Sequence, residues 1–186
     1  MPPMQDSWPK FIPNIHYTSD SFRNTLETCI PSPIAPDTSA SHAYWLIFIH
    51  GGAWRDPHIS APNSFHPTRD RLLASPVVAP YIAGYASLDY RLSPYPHHPD
   101  SPSTPSDSAR SARHPDHIRD ILAAILHLQQ TYAFGHRYLL IGHSAGATLA
   151  LQVAMSREWS SPPIPIAPPT AILGLAGIYD LPAFAA

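Results

Sequence analysis

The sequence predicts an α/β protein, a mostly parallel sheet with helices on both faces. Three observations carry this. Ala43-Tyr44-Trp45-Leu46-Ile47-Phe48-Ile49 is an unbroken apolar run rather than an alternating one, the pattern of a parallel strand buried on both faces. Ile118, Ile121, Leu122, Ile125 and Leu128 recur at helical spacing and define one apolar face. Strand-like and helix-like segments then alternate along the chain, as they do where parallel strands are joined by crossover helices.

Each element has a local reason. The first forty residues are extended and punctuated by proline; Phe11 to Tyr17 reads as an edge strand, where the missing N–H of Pro13 is tolerated. Pro31 to Ala40 is loop. The strand at Ala43–Ile49 stops at His50-Gly51-Gly52, and a polar loop leads to a helix around Ser64 to Ala74, with Arg69, Asp70 and Arg71 toward water. Tyr81 to Tyr90 is a second strand. Residues 93–113 hold six Ser and five Pro and read as a flexible surface insertion that buries little. A helix starts at His114-Pro115-Asp116, with proline near its first position and an acid in its first turn, and Gly135 follows its end. Arg137–Ile141 is a third strand, Ala145–Met155 a helix, Pro162–Pro169 an irregular connection with five prolines, and Ala171–Ala176 a fourth strand. Residues 1–186 read as a single, incomplete domain.

Composition excludes several classes. Proline makes up 24 of 186 residues, about 13% against a usual ~5%, yet 44% of the chain is hydrophobic, which rules out wholesale disorder. Eleven Lys+Arg against thirteen Asp+Glu give a formal charge of −2, with no basic stripe for nucleic acid. The one cysteine, Cys29, excludes an internal disulfide framework and a Cys-based zinc site. The N-terminus lacks the pattern of a secretory signal, and no apolar run approaches the ~20 residues that cross a bilayer. A soluble, cytoplasmic protein without membrane partners is the expectation; a homodimer is left open. The twelve histidines show no H-E-x-x-H, and His114 and His117 beside Asp116 and Asp120 read as a solvated helix start, so neither metal nor cofactor is expected.

Two motifs carry chemistry. Gly142-His143-Ser144-Ala145-Gly146 lies between a predicted strand and a predicted helix, the setting of a G-x-S-x-G nucleophile elbow. A sharp turn there lifts the Ser144 hydroxyl to the helix N-terminus, where the dipole and the Ala145 N–H favour developing negative charge. Side chains at Gly142 and Gly146 would collide. His50-Gly51-Gly52-Ala53-Trp54 follows the most apolar strand, where H-G-G loops supply oxyanion-hole N–H groups.

These motifs, with Asp89-Tyr90-Arg91-Leu92-Ser93-Pro94, His114-Pro115-Asp116-His117-Ile118 and Gly177-Ile178-Tyr179-Asp180-Leu181, resemble the α/β-hydrolase superfamily and, more narrowly, fungal kynurenine formamidase (arylformamidase). The resemblance runs from about Trp45 to Leu181. It implies an α/β-hydrolase fold whose last strands and helices are missing. It also implies hydrolysis of N-formyl-L-kynurenine, or a related aryl formamide, to the amine and formate in tryptophan degradation toward NAD. By the same resemblance Ser144 attacks the formyl carbon. His50, Gly51, Gly52, Ala53, Trp54 and Ala145 form the oxyanion hole and pocket, with His50 bracing the loop and Trp54 beside an aromatic leaving group. Gly142, His143 and Gly146 shape the elbow. After Ser144 the chain has no histidine, and its acids are Glu158 and Asp180, so it ends before the acid and base that the family's Ser, Asp, His order requires. Two other readings stand beside this one: a broad carboxylesterase, and a hydrolase-derived binding module without catalysis.

Overall fold

The structure is a computed structural model that describes residues 7–33 and 42–180. Among these residues six strands form one sheet: β1 (Lys10–His16), β2 (Thr25–Ile30), β3 (Tyr44–Ile49), β4 (Ile82–Leu88), β5 (Tyr138–His143) and β6 (Ala171–Leu175). Their spatial order is β1-β2-β4-β3-β5-β6. β1 and β2 run antiparallel to their neighbours; β4, β3, β5 and β6 are mutually parallel. The sheet is thus mostly parallel, as the apolar run at β3 implies. Trp45, Ile47 and Ile49 face one core and Leu46 and Phe48 the other, all five at most 6% exposed.

Three helices cover the sheet. α1 (Ala61–Leu73) packs Phe65 against Phe48 and Tyr85 on one face. α2 (Asp116–Tyr132) and α3 (Ala145–Val153) cover the other. The five α2 positions at helical spacing are fully buried against the sheet. α1 starts three residues before the expected Ser64. Its first N–H, on Ala61, is capped by Asp89 Oδ1 at 2.9 Å, a tertiary contact that no local sequence pattern announces.

Two further departures have physical causes. β2 was hidden because Thr-Leu-Glu-Thr-Cys-Ile has no strand-like alternation, yet Leu26 to Ile30 are all buried. Its Glu27 is tolerated there through a 2.6 Å contact with His66 of α1, while burial still pushes the carboxyl pKa upward. Residues 93–113 are mostly exposed, as a surface insertion should be, but are pinned at Leu92 and to one another. Leu92 N–H donates to the Ala109 carbonyl and Ala112 N–H to the Leu92 carbonyl. Ala109 and Ala112 are buried, and the Arg110 guanidinium holds the Ser101 carbonyl at 2.8 Å. Backbone hydrogen bonds and small side chains do the anchoring, so composition alone does not reveal it.

The other elements follow expectation. β1 is an edge strand, with a register shift across Pro13-Asn14 where Asn14 has φ 53°. The Pro162–Pro169 connection is irregular and is tied down by Gln129, whose side chain bonds Ala167 through both N–H and C=O. β6 pairs with β5 and, among the described residues, with nothing on its other side; Leu173 is 53% exposed there.

Candidate active site

β5 ends at His143 and α3 begins at Ala145, so one residue, Ser144, makes the turn. It does so at φ 53° and ψ −121°, a conformation that costs a side-chain-bearing residue on the order of 1–3 kcal/mol and persists only where surroundings enforce it. They do so here. Ser144 N–H donates to the Leu175 carbonyl at 2.8 Å, and Ser144 C=O accepts from Ala147 N–H at 2.9 Å. The flanking glycines are obligatory. A Cβ on Gly142 would strike the Gly146 carbonyl, and one on Gly146 would strike the Ile49 and His50 carbonyls at the end of β3. The turn therefore sits pressed onto the strand that leads into the second motif.

That second motif meets it. A Cβ on Gly51 would lie 3.0 Å from Ser144 Cβ and 3.0 Å from the His143 carbonyl. Two segments about ninety residues apart thus touch at the serine. After Gly51 the backbone turns through three successive positive φ angles: Gly52 at 90°, Ala53 at 48° and Trp54 at 60°. Arg55 and Asp56 N–H groups both donate to the Gly52 carbonyl, closing the turn.

The loop is held from beneath by Asp89–Ser93. His50, grouped by the sequence reading with the pocket, is fully buried under the loop. Its Nδ1–H donates to the Gly51 carbonyl at 2.8 Å, and its ring stacks on Tyr90 with centroids 4.4 Å apart. Its Nε2 lies 3.2 Å from Asp89 Oδ1, without hydrogen-bond geometry. The Tyr90 hydroxyl, kept protonated by burial, donates to the carbonyls of His50 and Gly51 at 3.1 and 3.2 Å. Arg91 clasps Asp120 of α2 through Nε and Nη2 at 2.9 and 2.7 Å, and that hydrogen-bonded carboxylate raises its pKa further. Ser93 N–H donates to the Trp54 carbonyl at 2.8 Å, and Ser93 Oγ lies 3.0 Å from His117 Nε2. Burial lowers the His117 pKa to about 4, so the ring is neutral at physiological pH. Sequence reasoning flagged this stretch only as part of a resemblance; the alternation of polar and aromatic types in Asp-Tyr-Arg-Leu-Ser was the available signal.

Two clefts border the loop of residues 51–54. One, of about 350 Å³, is lined by Ala53, Trp54, Ser93, His117, Leu149 and Gln152 among others. The other, of about 640 Å³, lies toward α1 and β6 and is bordered by Gly51, Gly52, His143 and Leu175. His143 is exposed at its rim. Among the described residues no histidine hydrogen-bonds the Ser144 hydroxyl. Asp180, the acid nearest the chain end among them, is exposed.

Asp56, His58 and His98 place potential metal-ligating atoms within 4.8 Å of one another. The polarity is wrong for a metal at His98, however. Its Nδ1 accepts from the N–H groups of Asp100 and Ser101, which puts the ring proton on Nε2, the atom facing Asp56 at 3.8 Å. His114 and His117 do not converge on a metal site: His114 lies edge-on to Trp159, and Asp120 is engaged by Arg91.

Fold and site together define a protein with the α/β-hydrolase fold, with a serine at the elbow between β5 and α3. Solved structures agree on the fold. A Thermogutta terrifontis esterase with bound butyrate superimposes with a TM-score of 0.60 over 91% of this chain and 54% of its own, at 19% identity. A tannin acyl hydrolase in complex with ethyl gallate gives 0.62 over 92% and 40%, at 16% identity. No family model matches the chain. Its curated sequence relatives are named kynurenine formamidases, and the chain is homologous to them. It is 44% identical over 172 residues to a kynurenine formamidase-like hydrolase of Fusarium equiseti, covering 92% of this chain and 56% of the relative. It is 42% identical over 170 residues to a kynurenine formamidase of Aspergillus versicolor, covering 91% and 55%. The chain spans about half the length of these relatives. Among the described residues, no helix is long and apolar enough to cross a membrane.

Proposed function

We propose that this chain carries the nucleophile and oxyanion-binding half of a serine hydrolase that cleaves an aryl formamide, N-formyl-L-kynurenine being the substrate its relatives' name points to. Ser144 Oγ attacks the formyl carbon. The N–H groups of Gly51, Gly52, Ala53 and Ala145 stabilise the oxyanion, with the α3 dipole aiding them. The C–N bond breaks, the arylamine leaves with a proton, and water then releases formate from the formyl-serine. A formyl group carries only hydrogen on its carbon, so the acyl side needs little room, and the cleft beside Trp54 takes the aromatic amine. The contact between Gly51 and Ser144 is the observation that carries this reading.

The reaction also needs a base for the Ser144 proton and an acid for the departing amine. Among the described residues neither is hydrogen-bonded to the Ser144 hydroxyl. The 186 residues by themselves are therefore expected to show at most the roughly 10³–10⁴-fold residual enhancement left when triad members are absent. The test is covalent labelling by a small fluorophosphonate, followed by peptide mapping, alongside N-formyl-kynurenine hydrolysis by the chain and by Ser144→Ala. Labelling confined to Ser144 supports the assignment. Labelling elsewhere, or an equal yield in Ser144→Ala, refutes it. Faster turnover of an acetyl ester than of the formamide would move the assignment to a carboxylesterase, against which Ala53-Trp54 in place of a third glycine argues.

A further inference from the structure

The 350 Å³ cleft has one apolar side and one built polar corner. Trp54 and Leu149 supply the first. Ser93 and His117 supply the second, and neither is placed by chance. Ser93 N–H is bonded to the Trp54 carbonyl, which fixes the hydroxyl relative to the indole backbone. His117 is 5% exposed, sits edge-on to Tyr90 with centroids 6.1 Å apart, and holds Ser93 Oγ at 3.0 Å. A serine hydroxyl has one donor and two acceptor functions. His117 occupies one of them, and the remainder is available to whatever enters the cleft.

We propose that Ser93, oriented by His117, is the specificity determinant for the leaving group: with the aromatic ring lying along Trp54, its hydroxyl donates to a carbonyl oxygen on the ring position next to the scissile formamide. His117 Nε2–H then donates to Ser93 Oγ, leaving the serine proton free for the substrate. The substrate class is an ortho-acyl formanilide, an uncharged aryl ketone at its reacting end, and not formanilides in general. This rests on the preceding assignment of the Trp54 side to the leaving group, but its consequences are read in binding and do not require turnover.

The experiment is calorimetric titration of the 186-residue chain with 2′-formamidoacetophenone and, separately, with unsubstituted formanilide. It is repeated for Ser93→Ala, His117→Gln and His117→Phe, with near-ultraviolet circular dichroism confirming that each variant is folded. One neutral hydrogen bond predicts that the chain binds the ketone roughly three- to tenfold more tightly than formanilide. Ser93→Ala removes that preference while leaving formanilide affinity unchanged. His117→Gln, whose amide N–H reaches the Nε2 position, keeps the preference, and His117→Phe loses it. Equal affinity for the two ligands, binding of neither, a preference that survives Ser93→Ala, or a parallel loss for both ligands in that variant would each overturn the proposal. Fluorophosphonate labelling of Ser144, measured without either ligand, reports separately on the hydrolase assignment. The two can thus fail independently.

Discussion

Replacing Gly146 with alanine tests whether the elbow is pressed onto β3 as tightly as the geometry demands. The added Cβ would meet the Ile49 and His50 carbonyl oxygens and, at 2.8 Å, the Ile49 carbonyl carbon. All three are backbone atoms at the end of a central strand bonded on both sides, so no flexible side chain can swing away. Overpacking in cores costs about 1–3 kcal/mol, and a clash with fixed backbone belongs at or above the top of that range. At roughly 2–4 °C per kcal/mol for a chain of this size, a cost of ~3 kcal/mol lowers the melting temperature by roughly 6–12 °C. Gly135→Ala is the control. Its Cβ meets nothing within 4 Å, and only its φ of +58° is strained. That limits the cost to about 1–2 kcal/mol. The assay is thermal unfolding of the three proteins at 222 nm, with Ser144 labelling measured below the transition. If Gly146→Ala melts no lower than Gly135→Ala, the elbow is not seated on β3 in this way and the contact argument fails.

Tyr90→Phe removes the hydroxyl that donates to the His50 carbonyl, while the Gly51 carbonyl keeps His50 Nδ1–H, so it should destabilise by about 1–3 kcal/mol and slow Ser144 labelling; unchanged values for both would mean that the loop needs no brace. Acid should also act through His117. Its folded pKa of about 4 lies below the ordinary 6.5, so the unfolded chain binds more protons between those values and stability falls as pH drops from about 6.5 toward 4. By pH 4.5 this one group accounts for ~2–3 kcal/mol, and urea unfolding at pH 7 and 4.5 should show a correspondingly smaller loss in His117→Gln. Leu173→Lys places a charge on the exposed edge strand β6; light scattering should show less self-association, with stability unchanged within about 0.5 kcal/mol.

What the sequence revealed and what it hid divide along a physical line. The parallel strands, α2 and the two glycine-bearing turns at Gly51-Gly52 and at residues 142–146 were legible because their signals are local. An apolar run such as Tyr44–Ile49 reports burial on two faces, and G-x-S-x-G reports a turn that admits nothing larger than glycine at its flanks. β2 was not legible, because Glu27 is made tolerable by His66, 39 residues away. The start of α1 was misplaced although Ser60, Pro62 and Asn63 mark it locally; the further cap on Ala61, a carboxylate from just beyond β4, has no local signal. Residues 93–113 looked loose because their anchors are main-chain bonds around Leu92, to which composition is blind.

His50 was grouped with the pocket as the brace of its loop, and its side-chain contacts are those of a brace. The ring lies between Tyr90 and Asp89, and its proton goes to the carbonyl of the next residue. The strained run Gly52-Ala53-Trp54 borders open clefts, so restraint must come from beneath. Asp89 to Ser93 provide it, with Arg91 and Ser93 carrying it onward to α2. Ser93 alone in that stretch touches both the loop's backbone and the open cleft. A substitution there should therefore separate the two functions that the other four positions cannot. Loss of loop support would lower affinity for every ligand alike, whereas loss of a substrate contact would lower it for one.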